Sequence, residues 1–129
     1  MSPFSFHSGS GPILIDASAS GPENSLDFRL ILDTGATTSL IDRDVLIHLG
    51  YDPDAPSRRV EVTTGSSVER LPVFALNRLT AFGKHRLAFP VVAHTLPQVG
   101  AGIMGLLGLD FLRGHRLEIN FKSGLLSFE

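Results

Sequence analysis

Glycine and proline interrupt this sequence throughout: 13 Gly and 8 Pro divide its 129 residues into short apolar runs. A chain punctuated this often folds as many strands and turns. Strands are expected over 12–17 and 26–32, separated by a polar loop at 18–25. Residues 60–64 and 67–76 read as a hairpin around Gly65-Ser66, and 76–82 and 86–93 as another turning at Gly83-Lys84. A last hairpin joins 117–121 to 125–128 across Lys122-Ser123-Gly124. Pro72 and Pro90 fall inside these runs, which places them at strand edges or bulges. One segment, 39–49, has helical spacing, with Leu40, Ile41, Val45, Leu46 and Leu49 on one face. Asp42 and Asp44 near its start, His48 in its last turn and Gly50 after it suit helix ends. Residues 51–59 form a loop carrying Pro53 and Pro56, and a short helix is expected over 110–113. Residues 1–10, rich in Ser and Gly, are expected to be mobile in part.

Length and composition narrow the possibilities. At 129 residues the chain suits a single domain spanning 1–129, without internal repeat or linker. Hydrophobic residues are 43% and charged residues 19%, the balance of a globular protein. A formal charge of −2 argues against nucleic acid as partner. With no cysteine, disulfides, thiol catalysis and thiolate-bound metals are excluded. The longest apolar run, 99–109, is about eleven residues, short of the ~18 a membrane helix needs. The first residues lack a basic stretch ahead of an apolar run, so no signal peptide is expected. These readings point to a cytoplasmic protein without a membrane partner.

The strongest chemical signal is Leu30-Ile31-Leu32-Asp33-Thr34-Gly35-Ala36-Thr37-Thr38-Ser39. A run apolar on both faces is a buried strand, and it ends by delivering a carboxylate into a tight turn. The plain reading is an Asx turn, in which Asp33 bonds its own backbone. The second signal is Gly105-Leu106-Leu107-Gly108-Leu109-Asp110-Phe111-Leu112, where glycine within a buried strand marks a close backbone approach.

In this order the two segments resemble the retropepsin-like aspartic proteases, the retroviral enzymes and especially their single-domain bacterial relatives. The resemblance runs from about Pro12 to Glu129 and includes the Leu-Asp-Phe-Leu, Glu-Ile-Asn-Phe and Gly-Leu-Leu segments near the end. It implies an all-β, closed, barrel-like fold with one helix after the active-site loop and a short C-terminal helix. It implies that Asp33 is the catalytic aspartate, that the Thr34 hydroxyl locks two active-site loops together, and that the Gly35 carbonyl receives substrate backbone. Ala36 completes that loop. Thr64, Gly65 and Ser66 match the tip of a flap over the substrate, and Leu106, Leu107 and Gly108 match the segment that supports the loop from beneath. Core positions are expected at Leu30, Leu32, Leu40, Ile41, Leu46, Val91, Leu106, Leu107, Leu109 and Phe111.

Peptide hydrolysis of this kind uses two carboxylates, one taking a proton from water and the other polarising the carbonyl. The chain holds a single Asp-Thr-Gly. The resemblance therefore implies a homodimer, an aspartic endopeptidase whose two Asp33 residues meet on a two-fold axis, acting on a polypeptide with no cofactor. Both chain ends are expected to contribute strands to the dimer interface, 125–128 foremost. Three departures from the family pattern stand out. Thr37 replaces an acidic residue of the viral enzymes, Gly108-Leu109-Asp110 replaces their Gly-Arg-Asn, and Ala36 replaces the hydroxyl residue of pepsins. The viral ion pairs are thus expected to be absent. With fewer donors to the ionised pair, activity is expected to peak at mildly acidic to near-neutral pH.

Other patterns carry less. Gly100-Ala101-Gly102-Ile103-Met104-Gly105 matches a dinucleotide-binding spacing, but Pro97 interrupts the approach and too little chain follows for further βα units. The five histidines show no paired metal spacing, and no metal is expected. Asp42-Arg-Asp44 and Asp52-Pro-Asp54 suit a helix start and a turn better than calcium. The competing reading is a dimerisation or peptide-binding module on the same fold, with little or no turnover. Against it stands Asp33, a buried acid such a module would not need.

Overall fold

The computed structural model describes residues 3–96 and 102–129. In chain order the elements are β1 (Phe4–Ser5), β2 (Leu14–Ser20), β3 (Ser25–Leu32), β4 (Leu40–Asp42), α1 (Arg43–His48), β5 (Arg58–Thr64), β6 (Ser67–Ala81), β7 (Lys84–His94), β8 (Ile103–Leu107), α2 (Leu109–Leu112), β9 (Leu117–Asn120) and β10 (Leu125–Phe128). The fold is all-β with two short helices, as expected.

Strands β2-β3-β8-β4-β7-β6 form a sheet that closes on itself, because β6 returns to pair with β2. Closure removes the exposed edges an open sheet would present. It gives β2 two neighbours: Ala17 faces Phe28 of β3 and Ala81 of β6, while Ala19 faces Leu26 and Leu79. β5 lies outside the ring as the outer arm of a hairpin with β6. A second sheet, β1-β10-β9, packs against the barrel. Phe128 anchors it, stacking on Phe82 with ring centres 4.6 Å apart and on Phe111 at 6.2 Å.

The structure revises several local expectations. The helix expected over 39–49 begins only at Arg43. Leu40–Asp42 is instead a strand, parallel to β7 on one side and antiparallel to β8 on the other. Those two ladders satisfy its backbone groups, so helical spacing yields to pairing. Asp42 then caps α1, accepting from the Asp44 N–H at 2.9 Å, and Val45, Leu46 and Leu49 keep the buried face. The loop expected over 18–25 shrinks to a tight turn, with Gly21 N–H donating to Asn24 O at 3.0 Å. A side chain at Gly21 would lie 2.6 Å from Leu49 O, so glycine there allows β2 to reach the end of α1.

β6 runs unbroken for 15 residues, joining what read as two arms around Leu76. Its turn to β7 is Phe82-Gly83, one residue earlier than expected, with φ of 54° and 71°, the signature of a two-residue hairpin turn. Among the described residues, Pro72 and Pro90 do stand where their strands have one neighbour: Pro72 faces only β5, and Pro90 faces only β6. Where β6 passes from β5 to β2, residues 74–77 meet no described strand on that side. Tyr51 fills the gap. Its hydroxyl donates to Ala75 O and accepts from Asn77 N–H, both at 3.0 Å.

Of the ten expected core residues, Leu30, Leu32, Ile41, Leu46, Val91, Leu107 and Phe111 are buried. Leu40, Leu106 and Leu109 are half-exposed. The first two line a cavity described below. Of the glycine-rich stretch, Gly100 and Ala101 lie outside the described residues, as does Pro97, while Ile103–Leu107 is the strand β8.

Candidate active site

The local structure around Asp33 follows from where β3 ends. Leu30 and Leu32 are buried, and Ile31 and Leu32 pair with Leu106 and Leu107 of β8 in parallel. The Leu32 N–H donates to Ile13 O at 2.9 Å, and the Asp33 N–H to Leu107 O at 3.0 Å. The strand therefore carries Asp33 to the edge of the barrel with its backbone held from both sides.

The chain then turns sharply. Ala36 N–H donates to Asp33 O at 3.2 Å, and Gly35 N–H donates to Asp33 Oδ1 at 2.9 Å. The Asx turn is thus present, and it orients the carboxylate. Asp33 and Ala36 are half-buried; Thr34 and Gly35 are exposed. A side chain on Gly35 would lie 3.3 Å from Asp33 Oδ1, so the turn is tight.

Beneath this loop passes the segment Leu106, Leu107, Gly108. Leu107 supplies the carbonyl for Asp33. Gly108 lets the backbones touch: a Cβ there would lie 2.7 Å from Ala36 O and 3.0 Å from Thr38 C. The next residue, Leu109, donates its N–H to Ala36 O at 2.8 Å. The two segments singled out in the sequence are thus bonded to each other.

Two residues outside the expected site complete the arrangement. Ser39 is fully buried. Its Oγ donates to Asp110 Oδ1 at 2.6 Å and accepts from Gly108 N–H at 2.9 Å, while its N–H donates to Asp110 Oδ2 at 2.9 Å. Asp110 also accepts from Phe111 N–H at 2.9 Å. This charged knot ties the far end of the Asp33 loop to the start of α2. Arg86 of β7 braces α2 from behind, donating to Asp110 O at 3.3 Å and Phe111 O at 3.4 Å, with its guanidinium 5.4 Å from the Phe111 ring centre. Ser39 ends the first sequence signal and Asp110 lies within the second, but nothing local marks their pairing across 71 residues.

A cavity of about 640 Å³ opens beside the loop. Gly35, Ala36, Thr37 and Thr38 form one wall. Leu40, Val73, Pro90, Val92 and Leu106 form the floor side, and Arg58, Val60, Glu61, Val62 and Thr63 of β5 the other wall. Thr64, Gly65 and Ser66 lie at the far end of the β5–β6 hairpin, where Gly65 and Ser66 make the turn and Gly65 has φ of 59°. A larger cavity, about 1190 Å³, lies between the N-terminal segment and the outside of β2 and β3, and holds none of the site residues.

A closed barrel, an Asp-Thr-Gly loop resting on a Leu-Leu-Gly segment, and a cleft with an apolar floor beside it define a retropepsin-like aspartic protease. The sequence profile of the family described as aspartyl protease matches residues 17–111, and the chain belongs to that family. Solved structures share the fold. A retropepsin-like aspartic protease from Rickettsia conorii is 19% identical with a TM-score of 0.72, over 98% of this chain and 89% of that one. The retroviral protease-like domain of Ddi1 from Leishmania major is 13% identical with a TM-score of 0.56, over 93% and 95%. The EIAV protease, solved with the inhibitor HBY-793, is 20% identical with a TM-score of 0.50, over 83% and 90%. No curated protein matches the chain.

Proposed function

We propose that this protein is an aspartic endopeptidase that activates water between two Asp33 carboxylates, one from each subunit of a homodimer. The observation that carries the reading is the fixed carboxylate of a loop whose residues 35–38 wall a cavity: Asp33 is held through its N–H by Leu107 O and through Oδ1 by Gly35 N–H. One ionised carboxylate takes a proton from water, and the other, protonated, polarises the peptide carbonyl. One chain supplies one such acid, so the second comes from a second copy. Two like charges at ~3 Å do not both ionise, so the pair shares a proton and titrates together.

In this reading Thr34, exposed in the single chain, meets its counterpart across the axis, and the turn 64–66 is the tip of a flap over the bound peptide. The substrate lies extended between the β5–β6 hairpin and the floor, adding as a strand with alternate side chains in pockets. The apolar floor of Leu40, Val73, Pro90, Val92 and Leu106 favours hydrophobic side chains beside the cut. We take residues 1–129 as one domain. No helix among the described residues is long and apolar enough to cross a membrane. The absence of cysteine suits a reducing cytoplasm, which we take as its compartment.

The test is cleavage of a denatured protein mixture by wild type and by Asp33→Asn, read by mass spectrometry across a pH series. Only the wild type is expected to cut, with its maximum above about pH 3, in the mildly acidic to near-neutral range. Equal cutting by the two proteins would remove Asp33 from the mechanism.

A further inference from the structure

The β5–β6 hairpin parts from the barrel partway along β6. β6 pairs with β7 from Ala81 back to Val73, which faces Val92. β7 runs on to His94, paired on its other side with Asp42 of β4, while residues 67–72 of β6 pair with β5. A side-chain bond bridges the opening: Glu69 Oε2 meets His94 Nε2 at 3.2 Å. Residues two apart on a strand share a face. Glu69 therefore stands on the face of Val73, and His94 on that of Val92 and Pro90, and these three line the site cavity. The pair joins the hairpin to the floor of the cleft, just beyond the residues that line it.

This bond holds a proton. His94 Nδ1 lies 2.8 Å from Thr95 O, and a carbonyl oxygen only accepts, so Nδ1 donates there. Nε2 then bears a hydrogen only in the imidazolium, and it needs that hydrogen to bond an ionised carboxylate. A neutral ring would turn a lone pair toward Glu69. Glu69 and His94 thus join with the uptake of one proton and part with its loss. The other charged groups around them are few. Asp42 lies beside His94 across the β4–β7 pairing, with Arg43 and Asp44 exposed at the start of α1. Asp42 is already occupied, its Oδ1 accepting from Asp44 N–H and its Oδ2 from Leu96 N–H at 3.2 Å. Arg70 and Glu61 face each other on the opposite side of the hairpin from Glu69.

We propose that Glu69 and His94 are positioning residues, a proton-dependent latch that holds the β5–β6 hairpin down over bound peptide. The proposal rests on the reading of this hairpin as the flap of a peptidase, and it assigns what fastens the flap to the barrel. Histidine changes charge between about pH 5 and 8. The latch is therefore closed at the acidic end of that range and released as pH rises through the imidazole titration. A flap held down retains peptide, so the latch acts on KM. Both side chains are partly exposed, which sets the scale at that of an exposed ion pair, about two- to fivefold in the population of the closed flap.

Two substitutions separate a latch from a merely structural contact. Alanine at 69 leaves His94 nothing to bond. A glutamine there donates to the neutral ring through its nitrogen and accepts from the imidazolium through its oxygen, so it latches with or without the proton. Glu69→Ala is expected to raise the peptide KM about two- to fivefold at about pH 5.5, more than it changes kcat, and to match wild type at about pH 8. Glu69→Gln is expected to match wild type at the acidic pH and to keep a lower KM than wild type at the basic one. Amide hydrogen exchange over residues 60–70, measured without substrate, reads the latch apart from cleavage. Glu69→Ala is expected to exchange about two- to fivefold faster than wild type at about pH 5.5 and at the same rate at about pH 8. A wild type that cuts peptide, with a Glu69→Ala variant equal to it in KM and exchange, or differing equally at both pH values, would overturn the latch and leave the peptidase standing. A wild type that cuts nothing, with the exchange pattern as expected, would remove the peptidase reading and still support the latch.

Discussion

Asp33 shows how a single side chain acquires a role from its neighbours' backbones. Its position is set by Leu107 O and its orientation by Gly35 N–H, at 3.0 and 2.9 Å. The loop beyond it is held by Ser39 and Asp110, which the local sequence did not mark, because their bonds span 71 residues. Ser39→Ala is expected to leave Gly108 N–H without its acceptor and Asp110 Oδ1 with Phe111 N–H as its remaining donor, costing about 1–3 kcal/mol in urea unfolding. Peptidase activity is expected to fall further than stability alone explains, with the loss in kcat. Full activity in a variant that remains folded would mean that the knot does not position the loop. Tyr51 makes a second test at this scale. Burial raises its pKa above the ordinary 10.0, against the smaller opposing effect of the Asn77 N–H bond. A raised value means that the folded state favours the neutral phenol. The Tyr51 contribution is thus complete below pH 10 and declines as pH rises through the folded-state value. Tyr51→Phe is expected to cost about 1–2 kcal/mol at neutral pH, and its stability curve to fall less steeply above about pH 10 than that of wild type.

At the scale of elements, the strands and their turns were largely legible, since Gly, Pro and alternation act locally. What escaped was pairing at a distance. Leu40–Asp42 has helical spacing with the residues after it, yet its backbone belongs to β7 and β8. The break expected near Leu76 is absent because β6 changes partners without ending, and Tyr51 covers the interval. Gly105 and Gly108 were legible as points of close approach, and the distances bear on what each tolerates. A Cβ at Gly105 would lie 2.0 Å from Leu40 O, and one at Gly108 2.7 Å from Ala36 O. Gly108→Ala is expected to push the Asp33 loop off its support, costing about 1–3 kcal/mol and most of the activity. Calorimetry and a peptidase assay on the same preparation check both. An active, undestabilised Gly108→Ala would show that the loop does not depend on this contact.

At the scale of the molecule, β2 and β6 close the barrel, and the Asp33 loop faces the β5 arm of the β5–β6 hairpin across a cavity. Closure was implied by a resemblance carried on a few residues, and its physical means, the return of β6 to β2, became visible only with the pairing. The homodimer is the claim on which the rest of the mechanism depends, and mixing subunits tests it most directly. Asp33→Asn is expected to keep the fold and the interface, removing one acid of the pair in a mixed dimer and both in its own. Wild type is incubated with an equal amount of Asp33→Asn long enough for subunits to exchange, and peptide cleavage is followed. If each site needs an Asp33 from both chains, mixed dimers are inactive, and random pairing leaves about half the activity of the same wild type alone. A larger excess of Asp33→Asn is expected to drive the activity toward zero. Activity unchanged at every ratio would show that one chain cuts by itself and would contradict the two-chain site.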